Sequence, residues 1–330
     1  MPIEISIIYA QSFQQFIINK RIFLILRFDI EQFIKIMLKS MKVEFADTIF
    51  ENRRRSVPEL QEIATEIRQD IIKSLVLAQS GHTGGPLGIS DVMTTLFFNG
   101  YMKYDPKNHL WDERDRFVLS AGHMAPVQYV TLAKAGFFPA EELKTLRQLG
   151  TRLQGHPGLD VKLPGIETSS GSLGQGVSIA LGMAMSDKLV DKNDRKVFSI
   201  TGDGELQEGT VWEAAMCAGS YGLDNFCWIV DNNDCQIDGR VTDIMSIYPL
   251  KEKFEAFNFE TVEIDGHDYN EIIAALDKFE KLHKAGNNKP FCIIAKTKMG
   301  KGVSFMEDKY QWHGVPPKTD EAEKALKELS

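Results

Sequence analysis

The most informative stretch of this sequence is KVFSITGDG, residues 196–204. Its first part is a short run of apolar and β-branched residues, and its second part is a glycine-rich turn that carries an aspartate. A short apolar run bounded by turn residues is typical of a strand that is buried on both faces. Such strands occur in parallel sheets, because the helices that connect parallel strands cover both faces. The stretch therefore predicts an α/β fold with Gly202-Asp203-Gly204 at the carboxyl end of a strand.

Four other short apolar runs have the same character, and helical patterns separate them. The runs lie at 116–119, 226–230, 259–263 and 291–295, and the clearest helical patterns at 58–78, 173–185, 209–219 and 269–282. Strands that alternate with helices predict one α/β domain, with a parallel sheet and helices on both of its faces. Ligands of such sheets bind beyond the carboxyl ends of the strands, so the loops that follow the strands are the candidate site.

Composition and charge limit the class of protein. The chain has 330 residues, of which 43% are hydrophobic and 25% charged, as in ordinary globular proteins. Its net charge of −8 provides no general attraction for nucleic acid or for an anionic membrane. No stretch approaches the roughly 20 uncharged apolar residues of a membrane span. Four cysteines without metal-type spacing predict a reduced, cytoplasmic protein.

The first forty residues differ from the rest of the chain. They contain eleven Ile, five Phe and no Gly, and charged residues interrupt their apolar run. Those charges argue against a membrane span, and the late position of the basic residues argues against a signal peptide. We therefore expect residues 1–40 to be a non-native or accessory extension, with the working protein beginning at Met41 and one domain over 41–330.

Two polar turns follow neighbouring strands of the predicted sheet. Gly202-Asp203-Gly204 ends one strand, and Asp231-Asn232-Asn233 ends the next, about thirty residues later. Either tripeptide alone is a common turn. Together they place a carboxylate and a carboxamide beside glycine backbone, and hard oxygen ligands of this kind suit Mg²⁺ or Ca²⁺ bridging a diphosphate. The glycines allow the backbone to approach the phosphates closely.

This pair of turns is the fingerprint of thiamine diphosphate enzymes, and the surrounding sequence resembles transketolases. The resemblance covers about residues 58–330 and lies in SGH (80–82), DRFVLSAGH (115–123), GSLGQG (171–176), GDGELQEG (202–209), IDG (237–239) and KGVSFME (301–307). It implies the thiamine diphosphate-binding fold, and within it the domain that binds the diphosphate.

The resemblance also implies a metal site. The side chains of Asp203 and Asn233 and the backbone carbonyl of Cys235 are expected to bind Mg²⁺, with Ca²⁺ or Mn²⁺ as substitutes. Gly204 and Asn233 are expected to contact the diphosphate of thiamine diphosphate.

Two positions depart from the family pattern. The segment Gly171-Ser172-Leu173 is similar to a cofactor-contacting stretch of the family, with Ser172 in place of the usual proline, which predicts a less rigid loop. The family also has an active-site histidine just ahead of a proline. We expect Tyr104, in Tyr104-Asp105-Pro106, to occupy that position and to alter donor preference or rate.

Five of the seven histidines adjoin a glycine, which predicts that they lie in loops. By resemblance, His82 contacts the substrate, His123 lies near the thiazolium ring, and His313 reaches the cofactor phosphate and the substrate. Imidazole suits the proton transfers that accompany cleavage of a carbon–carbon bond near neutral pH. His156 and His267 have no predicted role.

The chain resembles only part of a transketolase. Family members carry a second, pyrimidine-binding domain with the glutamate that activates the cofactor, whereas 17 residues follow His313 here. The expected protein is the N-terminal subunit of a split transketolase, which moves a two-carbon ketol unit from a ketose phosphate to an aldose phosphate. It would work with a C-terminal subunit, two of each forming a heterotetramer, with Glu208 and Glu213 at the interface.

Three alternatives stay open. A deoxyxylulose-phosphate synthase-like or 2-oxoacid dehydrogenase-like subunit would keep the cofactor, although the segments 115–123 and 301–307 favour transketolase. A nucleotide-binding dehydrogenase is disfavoured, because no strand opens into G-x-G-x-x-G with an acidic residue about twenty positions later. A catalytically silent partner of the same fold is disfavoured by the metal ligands and motif histidines, and Tyr104 keeps it open. The sequence does not indicate which sugars are used.

Overall fold

The computed structural model describes residues 43–49, 51 and 53–330. The expectation of an extension over residues 1–40 therefore lies outside the described residues. Residues 45–330 form one compact unit. Within the described part of the chain, no helix is both long and apolar enough to cross a membrane.

A parallel sheet forms the centre of this unit. Its strands lie side by side in the order β1-β2-β3-β7-β6, and a two-residue antiparallel pair, β4 with β5, lies apart from it. The strands are β1 Arg116–Leu119, β2 Val197–Gly202, β3 Phe226–Asn232, β4 Cys235–Gln236, β5 Gly239–Arg240, β6 Glu260–Asp265 and β7 Phe291–Lys296. All five predicted strands are present within one or two residues.

Helices connect the strands. They are α1 Val57–Ala78, α2 Gly84–Gly88, α3 Ser90–Phe98, α4 Ala125–Lys134, α5 Gln175–Met185, α6 Gly209–Ser220, α7 Val241–Ile244, α8 Leu250–Ala256, α9 Tyr269–Lys284 and α10 Thr319–Glu328. Short 3₁₀ helices lie at Pro106–Asn108, Gly122–Met124, Ala140–Thr145, Gly204–Gln207 and Tyr310–Trp312, and a π-helical turn, Ser186–Asp191, extends α5. The four predicted helices correspond to α1, α5, α6 and α9.

Two hydrophobic cores pack on opposite faces of the sheet, as the alternation of side chains along a strand requires. In β1, Phe117 and Leu119 join one core and Val118 joins the other. In β3, Ile229 joins the first core and Trp228 joins the second. Helices α1, α3, α4, α9 and α10 pack in the first core, and α5, α6 and α8 in the second. The predicted parallel sheet with helices on both faces is confirmed.

Helices α3 and α4 are absent from the sequence-based expectation. All nine residues of α3 and all ten residues of α4 are buried. A helix that is buried on every side has no polar face, so its sequence lacks the amphipathic period that identifies a surface helix.

Candidate functional site

A cavity of about 330 Å³ lies at the carboxyl ends of β2 and β3. Its lining includes predicted site residues from segments that are distant in the chain: Gly171, Leu173, Asp203, Gly204, Asn233, Cys235, His82, His123 and His313. The side chain of Ser172, by contrast, is exposed to solvent and does not line the cavity.

The parallel register of the sheet positions the two polar turns. Gly202 of β2 pairs with Asp231 of β3, so both strands end at the same level. The chain then turns at Asp203, whose carboxylate accepts hydrogen bonds from Gly204 N at 2.8 Å and from Asn232 Nδ2 at 3.1 Å. Asp234 N donates to the same carboxylate. The Asp203 side chain thereby joins the two turns directly.

Two buried aspartates at this edge of the cavity have raised pKa values. Asp203 is 1% exposed, and its burial, with the nearby Asp231 carboxylate, raises the pKa of Asp203 to about 7. Burial also raises the pKa of Asp231 to about 6. A divalent cation would stabilise the ionised form of a buried carboxyl group whose pKa is raised in this way, so the residues present fit a metal ion.

The donor set specifies the kind of metal. No group of three His, Cys, Asp or Glu side chains in the described part of the chain is arranged to hold an ion. The predicted ligands at this edge are the Asp203 carboxylate, the Asn233 carboxamide and the backbone carbonyl of Cys235, all of which belong to residues that line the cavity. That set of hard ligands suits Mg²⁺, Mn²⁺ or Ca²⁺ with water and phosphate completing the shell, and does not suit a structural zinc site.

The Asn233 and Cys235 positions link the metal edge to the histidines. Cys235 N donates to Asn233 Oδ1 at 2.9 Å, which holds the carboxamide against the backbone of the following turn. Burial lowers the pKa of His313, and a hydrogen bond between its ring and the Cys235 backbone opposes part of that shift. The ring of His313, a predicted catalytic histidine, thus lies beside the backbone of Cys235, a predicted metal ligand.

His82, His123 and His313 converge in the cavity. The ring of His123 is centred 5.0 Å from that of His82 and 5.0 Å from that of His313, and the rings of His82 and His313 are 5.6 Å apart. Burial lowers the pKa of all three, to about 4 for His82 and well below the usual value for His123. The imidazoles are therefore neutral at pH 7. The Nδ1 atoms of His82 and His313 are buried and have no hydrogen-bond partner among the described residues.

His156, which had no predicted role, also lines the cavity. Its ring lies under Gly171, where a Cβ atom would approach His156 Cδ2 to 2.6 Å. Gly171 also has a φ of +138°, so a side chain is excluded there on both grounds. Since His156 directly precedes Pro157, the sequence did contain the histidine-before-proline pattern.

The expectation for Tyr104 is wrong as to position. Tyr104 packs in the first core with its ring against Phe97 and Phe137, and its hydroxyl donates to the Phe97 carbonyl at 2.9 Å. Burial raises its pKa far above the usual value. Tyr104 does not line the cavity and so does not replace an active-site histidine.

The other histidine without a predicted role, His267, has structural partners. Its Nδ1 lies 2.8 Å from the buried Asp91 carboxylate, and its Nε2 accepts a hydrogen bond from Lys298 N. Both ring nitrogens are therefore engaged in holding elements together.

Glu208 lies at the cavity wall, and Glu213 is exposed on α6.

Comparison with known families agrees with this geometry. Residues 60–330 match the family described as the transketolase thiamine diphosphate binding domain. The chain belongs to the transketolase family. The predicted family and enzyme class are thereby confirmed.

Relatives within the transketolase family include separate subunits as well as long chains. An apulose-4-phosphate transketolase subunit of Phocaeicola vulgatus is 38% identical over 263 residues, covering 80% of this chain and 91% of the relative. The 6-deoxy-6-sulfo-D-fructose transketolase subunit of a Clostridium species is 41% identical over 257 residues, covering 78% and 91%. The crystal structure of Campylobacter jejuni transketolase superposes with a TM-score of 0.76 at 37% identity, covering 83% of this chain and 43% of that one. The chain thus matches the subunits almost over their full length and spans less than half of the solved transketolase.

Proposed function

We propose that the chain is the thiamine diphosphate- and Mg²⁺-binding subunit of a two-subunit transketolase, which transfers a two-carbon ketol unit from a ketose phosphate to an aldose phosphate. One observation carries the proposal. The paired turns at Asp203 and Asn233 and the three neutral histidines open into a single cavity. The names of the relatives favour a transketolase over the deoxyxylulose-phosphate synthase-like and 2-oxoacid dehydrogenase-like alternatives.

The metal edge of the cavity supplies the proposed binding site. Asp203 and Asn233 would hold Mg²⁺ through their side chains and Cys235 through its carbonyl, with Ca²⁺ or Mn²⁺ as substitutes. Gly204 and Asn233 would contact the diphosphate. The support is chemical: a buried carboxyl group, a carboxamide and a backbone carbonyl are hard oxygen ligands in one place.

The histidines supply the proposed proton chemistry. Bound thiamine diphosphate provides the electron sink for cleavage of the carbon–carbon bond. His82 and His313 would accept a proton from a sugar hydroxyl or hydrogen-bond a sugar oxygen, because their rings line the cavity and are neutral. His123, whose ring is centred 5.0 Å from each of theirs, would orient the donor oxygen.

A partner subunit is part of the proposal. Relatives of similar length are themselves named as subunits. On the described surface, Met216 of α6 is 57% exposed, one helical turn after Glu213, and Ile179 of the neighbouring helix α5 is 38% exposed. Large exposed apolar side chains on neighbouring helices are a surface of the kind that a partner covers. We infer a heterotetramer of two such chains with two C-terminal subunits.

The proposal extends to the class of substrate and to the cellular compartment. Two relatives are named for sugars that carry an anionic group, a phosphate in one and a sulfonate in the other, and we infer a phosphorylated sugar for this chain. The working unit is proposed to be residues 41–330. All four cysteines are free, which supports a reducing, cytoplasmic setting.

Reconstitution tests the proposal. The purified chain is mixed with the C-terminal transketolase subunit of the same genome, and transfer from a ketose phosphate to an aldose phosphate is followed with and without thiamine diphosphate and Mg²⁺. Activity is expected only when both subunits and both cofactors are present. Full turnover by the chain alone would refute the need for a partner. A complex that binds the cofactor but transfers no ketol unit would instead support a catalytically silent partner.

A further inference from the structure

The side chain of Glu205 connects three separate segments of the cavity wall. It is 2% exposed and lies in the 3₁₀ turn that follows Asp203. Its Oε1 accepts a hydrogen bond from the Ser120 hydroxyl and a second from Gly174 N at 2.7 Å. Its Oε2 accepts a third from Gly202 N at 3.2 Å. One carboxylate is thus shared by the loop after β1, the start of α5 and the end of β2.

Ser120 extends this connection into α5. While its hydroxyl donates to Glu205, its oxygen accepts a hydrogen bond from Val177 N at 2.9 Å, in the first turn of that helix. The two segments touch closely, since a Cβ atom on Gly176 would lie 2.6 Å from Ser120 Cα. The start of α5 is therefore held against the loop after β1 by packing, and against the β2 turn by Glu205.

Two of the three connected segments lead directly to a predicted ligand contact. Gly174 follows Gly171 and Leu173, which line the cavity, and Gly202 immediately precedes Asp203. The predicted cofactor contacts lie on both of these segments. The distance between residues 171–173 and residues 202–204 therefore limits the space for the diphosphate end of the ligand. The Glu205 carboxylate accepts backbone hydrogen bonds from both of these segments, so it fixes one relative to the other.

We propose that Glu205 is a positioning residue that sets this distance and so the affinity of the site for thiamine diphosphate with its metal. The inference rests on the proposed function, because it assigns a role toward the ligand of that site. Its physical basis is that removal of the carboxylate leaves the buried Gly174 N–H, the partly buried Gly202 N–H and the buried Ser120 hydroxyl without this acceptor. The segments then separate or rearrange until water satisfies these groups, and the preorganised distance is lost.

Asp115 offers a matched control. Its buried carboxylate also accepts hydrogen bonds from two backbone N–H groups, Lys103 N and Lys196 N, both at 2.8 Å. It ties together the amino-terminal ends of β1 and β2, whereas Glu205 acts at their carboxyl ends. Asp115→Ala therefore removes the same kind of support from the same two strands, away from the cavity.

The experiment compares Glu205→Ala, Ser120→Ala and Asp115→Ala with the unaltered chain in two measurements. The first is amide hydrogen exchange of the full chain without ligand. The second is the Kd for thiamine diphosphate in saturating Mg²⁺, measured calorimetrically on the complex with the C-terminal subunit. Glu205→Ala is expected to speed exchange over 171–177 and 200–204 and to raise Kd by about 10- to 100-fold, as loss of an orienting partner does at metal sites. Ser120→Ala is expected to act in the same direction and less strongly.

Asp115→Ala is expected to speed exchange only around 103 and 196 and to leave Kd unchanged, even where it lowers the Tm as much as Glu205→Ala does. The inference is overturned when Glu205→Ala leaves both exchange over 171–177 and Kd unchanged, or when Asp115→Ala raises Kd equally. If Glu205→Ala does not fold, Ser120→Ala decides by the same two measurements. Absence of binding by the unaltered complex would count against the proposed function, while the exchange measurement would still judge the role of Glu205.

Discussion

The side-chain amide of Asn233 donates a 2.8 Å hydrogen bond to the carboxylate of Asp231, two residues earlier in the chain. The other oxygen of Asp231 accepts a hydrogen bond from the Thr297 hydroxyl, in the loop after β7. Since the amide nitrogen of Asn233 is engaged in this way, Oδ1 is the atom that faces the Cys235 backbone. Asp231 therefore orients a predicted metal ligand without being one itself.

Asp231→Ala is expected to weaken metal binding. Alanine has no acceptor for the side-chain amide of Asn233, so the carboxamide of Asn233 loses its fixed orientation. We expect the Kd for Mg²⁺ of the reconstituted complex to rise by about 10- to 100-fold, as for other residues that orient metal ligands. A magnesium titration of cofactor-dependent activity measures this. Thr297→Val, which removes only the other hydrogen bond, should have a smaller effect, and equal effects of the two variants would contradict the role of Asp231.

Metal binding is expected to depend on pH through Asp203. Without metal the pKa of this buried group is raised to about 7, above its ordinary value of 3.8, so Asp203 favours folding below the ordinary value and loses that contribution as the pH rises through 7. A metal ion requires the carboxylate, so below about pH 7 it must displace a proton. The Kd for Mg²⁺ should therefore fall by up to about tenfold per pH unit between about pH 6 and 7.

The increase in Tm caused by Mg²⁺ with thiamine diphosphate, recorded across this pH range, checks the dependence on Asp203. The Asp203→Asn variant keeps the shape of the side chain and removes the titrating group, so it should show little stabilisation by Mg²⁺ at any pH. An increase in Tm that is equally large at pH 6 and pH 8 in the unaltered protein would contradict the assignment of Asp203.

The histidine cluster is expected to act in turnover more than in cofactor binding. His82→Ala and His123→Ala should each lower the kcat of the complex by about 100- to 10,000-fold, the usual contribution of a proton-transfer group, with the Kd for thiamine diphosphate changing little. Because burial lowers the pKa of His82 to about 4, its neutral form should persist well below the ordinary histidine value. Steady-state kinetics with a cofactor titration separates the two effects. His109→Ala, outside the cavity, serves as the control and should leave both quantities unchanged.

His156 and Tyr104 provide a direct test of the correction made by the structure. His156→Ala removes a cavity side chain and should raise the KM for the sugar by about tenfold, the effect of one lost hydrogen bond. Tyr104→Phe removes only the hydrogen bond to the Phe97 carbonyl, so it should cost about 1 kcal/mol of stability and leave KM and kcat unchanged. Thermal unfolding and kinetics of the two variants measure this. A change of KM in Tyr104→Phe alone would restore the original expectation for Tyr104.

Much of the fold could be predicted because its signals are local. A buried strand such as β3 is a continuous apolar run, and α1 begins with the Ser56 and Glu59 capping box, so both are visible within a few residues of sequence. The turns at Asp203 and Asn233 could be paired as well, because parallel strands necessarily end at the same edge of the sheet.

The remaining features depend on distances that no local pattern contains. Helices α3 and α4 were missed because burial on every side removes the polar face. Tyr104 was expected in the site because a proline follows it closely in the sequence. In the structure Tyr104 packs in a hydrophobic core, and His156 lines the cavity. Glu205 could not be singled out, since two of the three segments it joins lie 31 and 85 residues away. The sequence by itself determined the strands, the polar turns and the family. Only the tertiary structure decided which histidines meet and which carboxylate holds the cavity walls, because these are contacts between segments that are distant in the chain.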